Sequence, residues 1–169
     1  ATCPYAALGA PVWCTPGSYM EFNSSGYSAC LNAALGQYQD APNATTYKVC
    51  EAGRFSIVVG STACEFCDAG GYCEEPGAST ASVFKQCPPG TWSDTVGANS
   101  SAFCRNCSAG TYLPSSGATN FTECRQCRKG GICLEGVPEP TDCMAGRFMN
   151  ETGATACIDC TVGAFCSSG

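Results

Sequence analysis

The chain has 169 residues, of which 17 are cysteines and none is histidine, and its formal net charge is −6. A chain with roughly one cysteine in ten residues is typical of a disulfide scaffold from an oxidising compartment. The acidic charge leaves no basic surface for a nucleic acid, so we expect no nucleic-acid partner. The lack of histidine excludes imidazole-dependent hydrolases and histidine-ligated metal sites, and we expect neither an enzyme nor a bound cofactor.

A repeated unit runs along the chain from the first complete opening, Cys14-Thr-Pro-Gly-Ser-Tyr19. The unit opens with Cys-x-x-Gly-x-aromatic and closes with Cys-x-x-Cys, whose second cysteine often opens the next unit. The glycine permits a turn with positive φ, and the aromatic residue starts a short strand. Each unit is therefore predicted to be a β-hairpin stabilised by a disulfide. The other openings begin at Cys50, Cys87, Cys107 and Cys143, and a degenerate one begins at Ala33, where cysteine is missing.

The repeat divides the chain into five segments. The predicted fold is small, disulfide-rich and all-β, with tandem cysteine-rich hairpin repeats stacked into an elongated rod. Within these segments, stretches that lack the opening signature are interpreted as short cysteine loops or as linkers. The linkers are 74–86 and 134–142. In chain order, 1–13 ends a preceding unit, 14–49 holds two units, 50–86 a long unit with a short cysteine loop and linker, 87–142 two long units with a short loop and linker, and 143–169 a long unit and short loop that we expect to continue beyond the segment.

Disulfide connectivity cannot be derived from sequence alone. A crossed scheme, Cys67–Cys87 with Cys73–Cys104, is as consistent with the cysteine count as one that pairs neighbours. We favour neighbours because each long unit is then self-contained, although the unit at Ala33 has no bridge. Cys3 is left unpaired or intermolecular. The neighbour pairs are Cys14–Cys30, Cys50–Cys64, Cys67–Cys73, Cys87–Cys104, Cys107–Cys124, Cys127–Cys133, Cys143–Cys157 and Cys160–Cys166.

Six of the seven asparagines begin an Asn-x-Ser/Thr sequon, which predicts covalent N-glycans on a secreted or cell-surface protein. Five of them stand a few residues before a closing cysteine, near the expected hairpin tips. The sequon at Asn106 is the weakest, because it contains Cys107. The predicted glycosylation sites are Asn23, Asn43, Asn99, Asn106, Asn120 and Asn150.

Three metal or redox interpretations compete with the disulfides. Cys104-x-x-Cys107 and Cys124-x-x-Cys127 have zinc-ribbon spacing, but they form one frame of a repeat that runs along the whole chain. A redox Cys-x-x-Cys would need a βαβ context, which is absent. Calcium would need a defined loop of oxygen ligands, and none appears among the linker carboxylates Glu74, Glu75, Glu135, Glu139 and Asp142. We therefore expect no metal.

The units resemble the ephrin-receptor-like cysteine-rich repeat family over most of the segment from Cys14 to Cys166. More loosely, they are similar to tumour-necrosis-factor-receptor modules and EGF-like modules. The resemblance is weaker at Ala33 and in the first dozen residues. It implies an architecture found in secreted fibrous proteins and mastigoneme-type surface glycoproteins, and it implies no catalytic residue.

Together these features predict a structural extracellular glycoprotein, a segment of a disulfide-stabilised repeat in a surface fibre or filament. Its expected partners are other copies of itself or other extracellular glycoproteins, and no membrane span is visible in this segment. The alternative is the ectodomain of a receptor or adhesin that binds a protein or glycan ligand through the linkers. The opening aromatics are interpreted as small cores packed on neighbouring disulfides, with a ligand-stacking ladder as the other possibility.

Overall fold

The computed structural model describes residues 12–22, 28–79 and 83–161. This part of the chain is strand-dominated and rich in disulfides, with sixteen short strands and no α-helix. Two short 3₁₀ turns, Ser101–Phe103 and Phe121–Glu123, precede cysteines. The expectation of a small, disulfide-rich fold built from hairpins is confirmed.

In the described residues the strands form eight antiparallel hairpins between neighbours in the chain, and isolated parallel bridges join Phe55 to Ala78 and Trp92 to Ala118. All strands after the first pair are two residues long, so a hairpin of this size is marginal alone and needs other stabilisation. We number the hairpins first to eighth in chain order. They are β1 (Ser18–Phe22) with β2 (Ser28–Asn32), β3 (Gln37–Tyr38) with β4 (Lys48–Val49), β5 (Arg54–Phe55) with β6 (Glu65–Phe66), β7 (Gly71–Tyr72) with β8 (Lys85–Gln86), β9 (Thr91–Trp92) with β10 (Arg105–Asn106), β11 (Thr111–Tyr112) with β12 (Arg125–Gln126), β13 (Gly131–Ile132) with β14 (Thr141–Asp142), and β15 (Arg147–Phe148) with β16 (Ile158–Asp159).

The two segments interpreted as linkers contain strands. β8 lies within 74–86 and β14 within 134–142, and each is the return strand of a hairpin. The short cysteine loops before them are therefore hairpin openings, since Cys67-Asp-Ala-Gly70-Gly-Tyr72 carries the same turn and aromatic as the long units. The repeat is more regular than its cysteine spacing indicates, because these hairpins differ mainly in where their second cysteine stands.

The chain forms two compact units. The first comprises 1–67 with 73–84, and the second comprises 68–72 with 85–169. The first three hairpins have their strands in the first unit, and the other five have theirs in the second.

Cysteines and small residues make up the core. Most buried apolar residues in the described ranges are half-cystines or alanines, and the one large aliphatic side chain among them is Leu113, which is 2% exposed. Leu113 clusters with Cys107 and Ala118, and Trp92 packs against this cluster. The expectation that opening aromatics pack near a neighbouring disulfide is met at Trp92.

Seven disulfides link cysteines 6 to 17 residues apart in sequence, and they are the first seven pairs of the neighbour scheme. The crossed scheme is therefore wrong, because Cys67 pairs with Cys73 and Cys87 with Cys104. Cys3 and Cys166 lie outside the described residues, so the pair Cys160–Cys166 and the odd cysteine stay predictions.

Candidate functional site

The feature that repeats along this molecule is the junction between one hairpin and the next. Main-chain hydrogen bonds form this junction. The N–H of each turn glycine donates to the carbonyl of the residue that follows the first strand of the next hairpin, at 2.7–2.8 Å. Gly17 donates to Gln39 in this way, and Gly110 donates to Cys133. The carbonyl of the same glycine accepts the N–H of the residue that opens the next hairpin, as Gly110 does from Cys127 at 2.9 Å. Both bonds recur in each compact unit and depend on no particular side chain, so they hold the repeat while leaving the surface free to vary.

A second left-handed residue completes the junction. A glycine with positive φ, such as Gly60 (φ 79°) or Gly117 (φ 74°), stands ten residues after most openings. The N–H of Gly60 or Gly117 donates to the carbonyl of the residue that opens the preceding hairpin. In the second hairpin Asn43 takes this place with a φ of 56°, the one non-glycine residue with positive φ in the described residues. Asparagine tolerates this conformation better than most residues.

The turn glycines also approach the backbone of the hairpin two further along the chain. A Cβ built on Gly110 would lie 2.4 Å from the carbonyl oxygen of Gly153, and one built on Gly90 would lie 2.0 Å from that of Gly136. Real Cβ atoms do not come this close to an oxygen, so these positions require glycine for space as well as for their positive φ. Backbone contacts between hairpins, which we call the interlock, thus hold the repeat together.

The second hairpin has no disulfide, as the sequence predicts from Ala33. Gln39 occupies the buried place that Cys73 and Cys133 take in the fourth and seventh hairpins, and it is 3% exposed. Its Nε2 donates to the Thr46 carbonyl across the hairpin, and its Oε1 accepts the N–H of Ala41 at 3.0 Å. A hydrogen-bonded glutamine therefore bridges the hairpin that lacks a covalent bridge.

Four hairpins pair the opening aromatic with a cation on the return strand. The register places Tyr38 opposite Lys48, and the cation lies 5.7 Å from the ring centre. The Arg105 guanidinium lies 5.3 Å from the Trp92 ring, to which it is likewise directly opposite. Such cross-strand pairs stabilise short hairpins modestly. The other two pairs by register are Tyr72–Lys85 and Tyr112–Arg125. Sequence reasoning missed this pattern, although a basic residue two places before the next opening cysteine signals it.

Two of these cations also form ion pairs, Arg105 with Asp94 at 3.7 Å and Lys48 with Asp40. The Lys48 ammonium lies 2.7 Å from a carboxylate oxygen of Asp40. This hydrogen bond lowers the pKa of Asp40 below its ordinary 3.8 and raises the pKa of Lys48 above its ordinary 10.5. Both side chains are half exposed, so the solvent screens the pair and its contribution to stability is small.

The predicted glycosylation sites differ in their surroundings. Asn99 and Asn150 are exposed, whereas Asn43 accepts the N–H of Cys14 through its Oδ1 at 3.0 Å. The Nδ2 of Asn106, the atom that would carry a glycan, donates to Glu135 Oε1 at 3.3 Å, and Cys107 within the sequon is bridged to Cys124. Asn23 lies outside the described residues. Among the described sites, the local structure is thus least favourable to modification at Asn106.

Most of the residues considered as metal ligands have other partners. The four cysteines with zinc-ribbon spacing are all in disulfides, so their sulfurs are not thiolate ligands. Among the linker carboxylates, Glu135 accepts from Asn106 and Asp142 pairs with Arg128. The described residues contain no group of three or more potential ligands placed to hold a metal ion. The described residues also contain no helix that is long and apolar enough to cross a bilayer.

The second compact unit contains a cleft with a volume of about 440 Å³. Its lining combines the Trp92 and Phe121 rings with amide and hydroxyl groups of Asn106, Ser108, Thr111 and Thr122.

Comparison with protein-family models finds no match for this chain, and comparison with curated proteins finds none either.

Proposed function

We propose that this chain is a segment of a structural extracellular glycoprotein, in which disulfide-stabilised hairpins repeat along a surface fibre or filament. The observation that carries the proposal is the junction made by the turn glycines, because it repeats with the same main-chain bonds from hairpin to hairpin. A junction of this kind can extend a chain of any length without a growing apolar core.

The disulfides support the same proposal. A protein that works mechanically outside the cell has to keep its fold without chaperones and under proteolysis, and covalent bridges in seven of eight hairpins meet that requirement. Disulfides indicate an oxidising environment, and the sequons favour secretion. We place the protein in the extracellular space, secreted or at the cell surface, with glycans at the exposed sequons.

One observation favours the alternative of a receptor or adhesin ectodomain. Ile57, Val58 and Val59 form a consecutive apolar run between the strands of the third hairpin, and each is at least half exposed. Exposed apolar patches of this kind often mark contacts with another protein. Within a fibre, the same loop would serve contacts between chains.

Electron microscopy of the native, unreduced protein tests the proposal. Regular filaments with an axial repeat are the expected result, and glycosidase treatment should lower the intact mass by several glycans. Glycopeptide mass spectrometry should find glycan at Asn99 and Asn150 and none at Asn106, because the amide of Asn106 is engaged by Glu135. Discrete particles without filaments would favour the receptor or adhesin, and an unchanged mass would remove the glycoprotein part of the proposal.

A further inference from the structure

The cleft beside Trp92 has the mixed chemistry that a sugar requires. Trp92 is half-buried against the Leu113 cluster, and Phe121 is 63% exposed. Their ring centres are 6.0 Å apart and the rings are tilted by 58°, so they form two walls rather than a closed stack. The cleft volume of about 440 Å³ falls within the range of small-ligand sites, roughly 300–1,000 Å³.

Two predicted glycosylation sequons line this cleft. Phe121 and Thr122 belong to the sequon that begins at Asn120, while Asn106 and Ser108 belong to the sequon that contains Cys107. The amide of Asn106 is occupied by Glu135, which leaves Asn120, the residue directly before the lining residue Phe121, as the available acceptor. A glycan on Asn120 would be tethered next to its own binding surface, so it would be present there at high effective concentration.

The local backbone at Asn120 is fixed in a way that is compatible with a glycan. Its Oδ1 accepts the N–H of Thr122 at 3.0 Å, and Glu123 Oε1 accepts the N–H of Asn120 at 3.2 Å, forming a capping box around the turn Phe121–Glu123. This arrangement uses the side-chain oxygen of Asn120 and leaves its side-chain nitrogen outside the cap. A glycan would be attached to that nitrogen in place of one hydrogen. The first sugar would therefore leave from a rigid turn whose next two residues line the cleft.

From this placement we infer that the first N-acetylglucosamine of an N-glycan on Asn120 docks in the cleft between Trp92 and Phe121. The apolar face of the pyranose would lie on an aromatic ring, and its hydroxyl and acetamido groups would meet the hydroxyls of Ser108, Thr111 and Thr122. This inference rests on the proposed glycoprotein, and it adds a specific role: one glycan is part of the folded structure and covers an aromatic cleft, whereas the others project into solvent.

Tryptophan fluorescence provides the test, because the chain contains only Trp13 and Trp92. The Trp13→Phe variant, made in a secretory host that attaches N-glycans, reports on Trp92 alone. In that background, Asn120→Asp deletes the acceptor amide and keeps an oxygen for the Thr122 cap. Asn99→Asp is the matched control, since it removes a glycan from the sequon of the preceding hairpin, which does not line the cleft.

The docked sugar should shield Trp92 from acrylamide, so Asn120→Asp should raise the quenching constant by roughly twofold, as expected if one ring face becomes uncovered. Asn99→Asp should leave the constant unchanged. Phe121→Ser keeps the sequon and removes one wall, and adding Asn120→Asp to it should then have no further effect.

Three results would overturn the inference. One is an equal quenching constant for Asn120→Asp and Asn99→Asp, and another is persistent shielding by the glycan in the Phe121→Ser background. The third is an unmodified Asn120 in glycopeptide mass spectrometry while other sequons carry glycan. Each of these results leaves the proposed fibre intact, because the filament observation and glycans at Asn99 and Asn150 test that proposal separately.

Discussion

Glycine is the residue on which the repeat depends, for two separable reasons. At Gly110 the backbone has a φ of 85°, which disfavours any side chain, and the position lies against the carbonyl of Gly153. Gly146 has the same φ of 85° in the same Cys-x-Ala-Gly turn, but no atom of the described residues stands within 4 Å of a Cβ built there. The two positions therefore separate conformational strain from the close approach between hairpins.

Replacing either glycine with alanine tests that separation. Gly146→Ala should cost about 1–2 kcal/mol, the usual penalty for a left-handed non-glycine residue. Gly110→Ala should cost clearly more, because its methyl group would overlap the Gly153 carbonyl. Hydrogen exchange of the amides around the eighth hairpin measures the difference. Equal destabilisation by the two substitutions would show that the interlock contributes nothing.

The Asp40–Lys48 pair makes a pH-dependent contribution whose sign follows from the pKa directions. The pKa of Asp40 is lowered, so its contribution is present above pH 3.8 and is lost as the pH falls through the lowered folded value. The pKa of Lys48 is raised, so its contribution persists below pH 10.5 and is lost as the pH rises through the higher folded value.

An NMR titration of the Asp40 carboxyl checks this assignment. Lys48→Met should raise the pKa of Asp40 back toward its ordinary value, because the hydrogen-bonding ammonium is gone. Arg125→Met, which removes a cation from a different hairpin, serves as the control and should leave Asp40 unchanged. An unaltered pKa in Lys48→Met would mean that the ion pair does not persist in solution.

At the scale of the hairpin, the position of the second cysteine determines how each element is closed. Most hairpins close with a cysteine three residues before the next opening, whereas the fourth and seventh use the residue directly after their first strand. The second hairpin has neither, and Gln39 replaces the bridge with hydrogen bonds. By position, Ala33 and Tyr47 are the places that an opening and a closing cysteine would occupy.

The double variant Ala33→Cys with Tyr47→Cys should therefore form an eighth intra-hairpin bridge. A loop of this length is expected to add about 3 kcal/mol in the chain-entropy description. Amide exchange in the second hairpin, measured by mass spectrometry, should slow relative to the control with serine at both positions. Free thiols at the two positions, or exchange no slower than in the serine control, would contradict the equivalence of the hairpins.

At the scale of the whole molecule, covalent bridges replace the apolar core that a chain of this length usually has. In the described ranges the buried residues are mainly half-cystines, glycines, alanines and serines, and burying them removes little apolar surface from water beyond the sulfurs. The main-chain junctions add regular hydrogen bonds, but the net gain from each bond is only about 1 kcal/mol. The fold therefore depends on its bridges more than on packing.

Reduction of the disulfides should unfold the protein without added denaturant. After reduction and alkylation, circular dichroism at 25 °C should lose the native signal, and amide protection should disappear from all eight hairpins. The unreduced protein alkylated under the same conditions is the control. Retention of protected amides in the reduced chain would show that the glycine junctions suffice alone.

The sequence by itself determined the features that are local in the chain. Turn glycines, opening aromatics and cysteines 6 to 17 residues apart act within one hairpin, so they predicted six of the eight described hairpins and the disulfide-rich fold. They also favoured the pairing scheme to which the seven described bridges belong. The sequons and the basic residue that stands two places before four of the opening cysteines are local signals too. The basic residue was recognised only once its register with Tyr38 and Trp92 was known.

Only the tertiary structure decided the features that join separate hairpins. The return strands within 74–86 and 134–142 carry no closing cysteine, so their cysteine pattern indicated linkers instead of repeats. The approach of Gly110 to Gly153 and the cleft between Trp92 and Phe121 bring together residues tens of positions apart. Main-chain hydrogen bonds make these junctions, and because every residue offers nearly the same backbone groups, side-chain identity alone does not show which ones will meet.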